Sequence, residues 1–194
     1  MNNTKIPKLR FPGFEGEWEE KKLGEVCTII MGQSPDSSYY NLDKKGIPLI
    51  QGNADVLNRK SIVRNYTSQI TKTCEEGDII MSVRAPVGAI SRASQKSCIG
   101  RGVCAIKNGT DFIYQYMISI EDKWDRYANG TVFSSINSDT LKSFLICIPK
   151  DIQEQEKIAQ CLNSIDEQIV LQEELVEGLK EHKKGLMQQL FPQN

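Results

Sequence analysis

Four side chains in this sequence, Gln33, Gln51, Asn53 and Arg84, carry planar amide or guanidinium groups in stretches that read as loops. Such groups can make paired hydrogen bonds to the edge of an adenine or a guanine. Eight cations, Lys44, Lys45, Arg59, Lys60, Arg64, Lys72, Arg92 and Lys96, lie in the same part of the chain, and Lys and Arg are the residues that neutralise phosphates. Taken together they point to nucleic acid. Taken singly, each reads first as an ordinary solvated surface residue and only second as a base reader.

The residue patterns of catalysis are missing. Neither Asn-Pro-Pro-Tyr nor Asp-Pro-Pro-Tyr, the amino-methyltransferase motifs, occurs, and no glycine-rich loop has the spacing that cradles a nucleotide phosphate. Pro35-Asp36 followed by Asp43-Lys44-Lys45 superficially matches a nuclease pattern, but the gap is short and its first half lies in a turn. The single histidine, His182, sits on a long acidic stretch, which leaves a Ser/His/Asp site without support. Six cysteines, at 27, 74, 98, 104, 147 and 161, never show C-x-x-C spacing, so a zinc site of standard spacing is not expected. They read as reduced, buried thiols of a cytoplasmic protein. The chain reads as non-catalytic, with no metal or cofactor of its own.

Charge divides the chain. The net charge is −1, yet residues 1–150 hold 20 Lys/Arg against 16 Asp/Glu and residues 151–194 hold 4 against 9. Between Leu42 and Asn108 the ratio is 11 to 5. A moderately basic part followed by an acidic one suggests an anionic partner for the first and a protein partner for the second. No signal peptide and no apolar run near the length of a membrane span is present.

The elements that would position these groups form a mixed sheet with long polar loops. Pro7–Phe14 reads as an extended arm anchored by Leu9, Phe11, Phe14 and Trp18. A turn at Lys22–Glu25 leads to a strand at Val26–Met31, and Gly32–Ser38 is an exposed loop. Strands follow at Ile47–Ile50, Asp78–Val83, Val87–Ser91 and Gly102–Ile106. A helix is expected from Asp111 to about Tyr127, with Phe112, Tyr116, Ile120 and Trp124 four apart on a face that reads as core rather than as a base-stacking platform. Asn129-Gly-Thr131 breaks it. A helical turn at Ser138–Ser143 and a strand at Phe144–Ile148 end the globular part. The fold class is α+β, with residues 1–150 as the recognition domain and residues 151–194 as one long helix.

That helix is set by its period. Ile158, Leu162, Ile165, Ile169, Gln172, Val176, Leu179, Lys183, Leu186 and Leu190 follow one another in steps of four and three, a heptad seam. Asp151 with Glu154 has capping-box spacing. About forty helical residues would span roughly 60 Å, so part of the seam should project and requires a partner helix from a second copy or another subunit. Gln172 and Lys183 interrupt the seam and disfavour slipped registers. Packing along the chain's own domain is the alternative, and the seam leaves the direction of pairing open.

Several stretches together resemble the DNA-specificity subunit of type I restriction-modification systems. They are Pro7-Lys-Leu-Arg-Phe-Pro-Gly-Phe14 with Trp18 and Lys22-Leu-Gly-Glu-Val26; Gly32-Gln-Ser-Pro35; Gly77-Asp-Ile-Ile-Met-Ser-Val-Arg84 with Pro86-Val-Gly88; and Ile148-Pro149 leading into Glu154-Gln155, Ile158-Ala159, Leu162 and Ile165-Asp166. The resemblance implies a target-recognition domain that reads one half of a split DNA sequence, spaced by the helix from a second such domain. It implies modification methyltransferase subunits that use S-adenosylmethionine, and restriction/translocase subunits that use ATP and Mg2+. A typical member holds two domain-plus-helix units with antiparallel helices. This sequence holds one, so it reads as a half-size subunit or a cut longer chain. A homodimer through an antiparallel coiled coil would restore the pair and predicts inverted half-sites. The competing expectation is an interaction module without DNA affinity that pairs with or inhibits a full specificity subunit through its helix.

Overall fold

The structure, a computed structural model, describes residues 5–126 and 135–192. The expected mixed sheet is two sheets in contact. One is six-stranded, in the order β2 (Thr28–Met31), β12 (Val103–Lys107), β9 (Ile79–Ser82), β10 (Ile90–Arg92), β6 (Lys60–Ser61), β5 (Val56–Leu57). The other is five-stranded: β3 (Tyr40–Asn41), β7 (Asn65–Thr67), β4 (Ile47–Ile50), β11 (Ser97–Ile99), β8 (Thr73–Cys74). Each contains one parallel pair, β10 with β6 and β11 with β4, among antiparallel ones. A separate ribbon joins β1 (Glu19–Lys22) to β13 (Leu145–Ile148).

The six-stranded sheet is buried on both faces, and its sequence shows why. Along β9, Ile79 and Met81 enter the core that faces the helices, while Ile80 between them enters the core shared with the second sheet. Along β12, Cys104 and Ile106 face the helices, and Val103 and Ala105 face the second sheet. A strand covered on both sides reads as an unbroken apolar run rather than an alternation, and each fully buried Ile contributes roughly 1.5–3 kcal/mol. The helical layer comprises α1 (Leu23–Val26), α2 (Asp111–Ser119) and α3 (Ser138–Ser143). Thr110 caps α2 by accepting from the Ile113 N–H, and Asn137 caps α3 by accepting from the Thr140 N–H.

Three expectations need correction. The helix from Asp111 ends at Ser119, and a 3-10 segment, Glu121–Arg126, follows; the break expected at Asn129-Gly-Thr131 lies outside the described residues. The chain turns there because the Glu121 carboxylate is drawn away to the Ile90 N–H at 2.9 Å and to Arg59 at 2.6 Å. The aromatic face is core nonetheless, since Phe112, Ile120 and Trp124 are buried. In the arm, Leu9 is exposed and anchors nothing; Trp18 packs edge-on against Phe112 instead. Among the cysteines, Cys27, Cys74, Cys98 and Cys104 are buried, whereas Cys147 is half-buried and Cys161 exposed.

The long helix α4 runs over Ile152–Leu190. Asp151 caps it by accepting from the Gln153 N–H at 2.8 Å. Its second expected capping group, Glu154, points inward and is engaged by the arm. Glu154 and Ala159 are buried and Ile158 packs against the core. From Ser164 to Leu190 every residue is exposed apart from Gly185, which is half-buried. Packing along its own domain thus accounts for the first part of the helix, and the rest of the seam projects.

Candidate nucleic-acid interface

Four turns converge at one end of the six-stranded sheet: the segment after β2, the segment after β4, the turn after β9, and the link from β11 to β12. Backbone hydrogen bonds lace them together. Gln33 N–H donates to the Ile99 carbonyl at 2.8 Å, Gly100 N–H to the Ile50 carbonyl at 2.8 Å, and Val83 N–H to the Gly102 carbonyl at 2.9 Å. The glycines permit this approach. A Cβ on Gly32 would overlap the Gly100 carbonyl oxygen, and one on Gly102 would overlap the Gln51 carbonyl oxygen.

The turns enclose an open cleft of about 560 Å³ whose lining includes Ser34, Asp36, Gln51, Asn53, Arg84 and Arg101. The Gln51–Asp55 turn is held from below. Asp55, almost fully buried, accepts from the Gln51 N–H at 2.7 Å, the Gly52 N–H at 3.3 Å and Arg64 Nε at 2.6 Å. The Arg84 turn is pinned by buried Ser82, whose hydroxyl donates to the Pro86 carbonyl at 2.8 Å and accepts from the Ala89 N–H at 2.9 Å. Ser34 Oγ accepts from the Arg101 N–H at 3.0 Å. The Ser38 hydroxyl and backbone N–H, at 2.7 and 2.9 Å, hold the Asp36 carboxyl below its usual range. The cleft therefore offers two guanidiniums, two amides and one carboxylate. Those groups between them can donate to guanine, bond adenine in both senses and accept from the cytosine amine.

Of the sequence-selected residues, Gln51, Asn53 and Arg84 line this cleft, and Gln33 is exposed beside it. Lys44 and Lys45 sit at the tip of the β3–β4 turn, Lys45 within 3.7 Å of Asp43. Lys72 is exposed just before β8 and Lys60 is exposed on β6. The others are engaged in ion pairs with carboxylates of the same chain. Arg59 pairs with Glu121, Arg64 with Asp55 and Lys96 with Glu75. Arg92 pairs with Asp111 and lies 4.3 Å over the Tyr114 ring. Arg101 was not selected from sequence. Its signal was a lone cation between Gly100 and Gly102, where the backbone must approach a neighbour closely.

Seam residues Leu162, Ile165, Ile169, Val176, Leu179, Leu186 and Leu190 are all exposed on α4, as are Gln172 and Lys183; Ile158 is half-buried against the domain. Asp36 and Asp43, the would-be nuclease pair, serve as a turn cap and a surface ion-pair partner. Among the described residues no group of three His, Cys, Asp or Glu could hold a metal ion, and no helix is long and apolar enough to cross a membrane.

A rigid double sheet that presents polar loops beside a projecting helix is the build of a recognition module. The model of the type I restriction modification DNA specificity domain matches residues 15–181, and this chain belongs to that family. It is 37% identical over 182 residues to the MjaX type I restriction enzyme specificity subunit of Methanocaldococcus jannaschii, a match covering 90% of this chain and 43% of the relative. Among solved structures, a chain from a type I R-M system described for its complex assembly and conformational transition is 32% identical with a TM-score of 0.74, over 90% of this chain and 45% of that one. The HsdS subunit of Thermoanaerobacter tengcongensis is 33% identical with a TM-score of 0.70, over 84% and 41%. The S subunit of M. genitalium, at 17% identity and TM-score 0.68 over 92% and 46%, shares the fold. The chain spans less than half the length of these relatives.

Proposed function

We propose that this chain is a DNA-reading unit of a type I specificity subunit. Its cleft reads one half of a bipartite double-stranded target, and α4 pairs with the α4 of a second copy as an antiparallel coiled coil. Identical domains at opposite ends then read inverted half-sites across an unread spacer. The observation that carries the reading is the convergence of Gln51, Asn53, Arg84 and Arg101 on one open cleft, in a family described by DNA specificity. The projecting face with Ile165, Ile169, Val176 and Leu179 supports the pairing. Modification methyltransferase and restriction/translocase subunits assemble on this unit in the cytoplasm. S-adenosylmethionine, ATP and Mg2+ are used by those subunits.

Selection from random-sequence duplexes tests this. The expected product is a split, inverted consensus whose binding weakens steeply with salt. Arg84→Ala should cost about 1–3 kcal/mol and relax one base position, whereas Lys72→Ala should lower affinity for all sequences alike and reduce the salt slope by about one. Recovery of no preferred duplex, or binding indifferent to salt, would sink the reading.

A further inference from the structure

Taking that reading as given, we propose that two polar latches, Arg10 on Glu154 and Gln115 on Asn163 and Asp166, fix the direction in which α4 leaves the domain. Through that direction they set the spacer between half-sites that the paired molecule accepts.

The first latch is a charge pulled indoors. Glu154 belongs to the first turn of α4, where a carboxylate normally caps free amides, yet its side chain is 1% exposed. Arg10 Nε and Nη2 each donate to one of its oxygens at 2.8 Å, and Trp18 Nε1 donates at 3.3 Å. The same guanidinium donates to the Gly16 and Glu15 carbonyls at 2.6 and 3.0 Å. A buried ion pair adds little net stability against an apolar substitute. What a forked Arg–carboxylate pair does supply is a fixed orientation.

The second latch lies further along the helix. Gln115 Nε2, on α2, donates to Asn163 Oδ1 at 2.8 Å and Asp166 Oδ2 at 2.6 Å, and Asn163 Nδ2 donates to Asp111 Oδ2 at 3.2 Å. The other Asp111 oxygen holds Arg92 of β10, which also donates to the Gly77 carbonyl at 2.8 Å. The latch is therefore tied to the same β9–β10 hairpin whose turn carries Arg84.

A single contact is a pivot, whereas two contacts define a line. Glu154 and Asn163 are about 14 Å apart along the axis, and about 36 Å of helix extends from Asp166 to Leu190. A tilt of about 5° at the base moves the far end by about 3 Å, close to the ~3.4 Å rise of one base pair. Ile158 and Ala159, packed between the latches, would tolerate such a rotation, because apolar contact has no direction. Directional hydrogen bonds would not.

The test uses the full chain and its selected duplex, with spacers lengthened and shortened by one and two base pairs. Arg10→Met combined with Glu154→Met removes the first latch without stranding a buried carboxylate. Gln115→Ala combined with Asn163→Ala removes the second. The parent chain should prefer its best spacer by about tenfold over either neighbour, and each double variant by less than about threefold. Discrimination among half-site sequences should stay unchanged in all three. Folded variants that keep the sharp spacer preference overturn the proposal, and so do variants that lose half-site discrimination along with it. A parent chain that selects no bipartite target defeats the proposed function instead, before the latches come into question.

Discussion

The two parts of α4 obey one heptad period and meet opposite fates. Over Ile152–Asp166 the helix contributes buried Glu154 and Ala159 to its own domain, and Asn163 and Asp166 to a hydrogen-bonded joint. Beyond it, Ile169, Val170, Leu171, Leu175, Val176 and Leu179 are all exposed. The period shows that a helix has a partner but not which one. Polar residues that find directional partners mark the half docked in the chain. Where the apolar seam continues with no such neighbours, it is exposed and open to the helix pairing proposed above.

Breaking the exposed half should have the largest effect. Ile169→Asp with Leu179→Asp places charges in the seam at exposed positions, so the fold is expected to survive. Self-association measured by sedimentation should vanish, and affinity for the full split target should fall by about 10²–10⁴-fold as the second half-site becomes a separate binding event. Affinity for one isolated half-site should change little. A dimer that persists with undiminished affinity would show that the partner surface lies elsewhere.

A smaller contrast sharpens the same comparison. Ile106 is buried in the six-stranded sheet and Leu171 is exposed on α4. Ile106→Ala should cost about 2–5 kcal/mol and lower the melting temperature accordingly. Leu171→Ala should stay within about 0.5 kcal/mol in dilute solution. Equal losses would mean that the distal helix is packed in the isolated chain.

Legibility in the sequence follows the same division. The long helix was readable because its period runs without proline from an Asp cap, and β4, β9, β12 and β13 were readable as apolar runs. Strands such as Lys60–Ser61, Thr73–Cys74 and Val56–Leu57 were not. At two residues, pairing with a neighbour decides the conformation and local propensity carries no signal. The cleft was legible by residue type at Gln51, Asn53 and Arg84. Arg59 and Arg92 look the same as Arg84 in sequence, and what separates them from it is the distant carboxylates of Glu121 and Asp111 that hold them. Glu154 was misread as a cap for a related reason: its partner, Arg10, lies 144 residues away.

The finest contrast is between thiols. Alkylation requires the thiolate, and burial suppresses it. Desolvation pushes Cys27 and Cys74 up to about 11 and Cys104 to about 12, so at pH 8 about one in a thousand or fewer is ionised. Cys147 is also raised by partial burial, whereas Cys161 is exposed on α4. Mass spectrometry after brief maleimide treatment of the native chain should find Cys161 labelled first and Cys147 more slowly. The four buried thiols should wait for opening of the sheet. In the Ile106→Ala variant those four should react faster while Cys161 keeps its rate, since local opening reports domain stability and the helix surface does not. Rapid labelling of Cys74 in the parent chain would mean that the core between the sheets admits solvent, and rapid labelling of Cys104 that the core beneath the helices does.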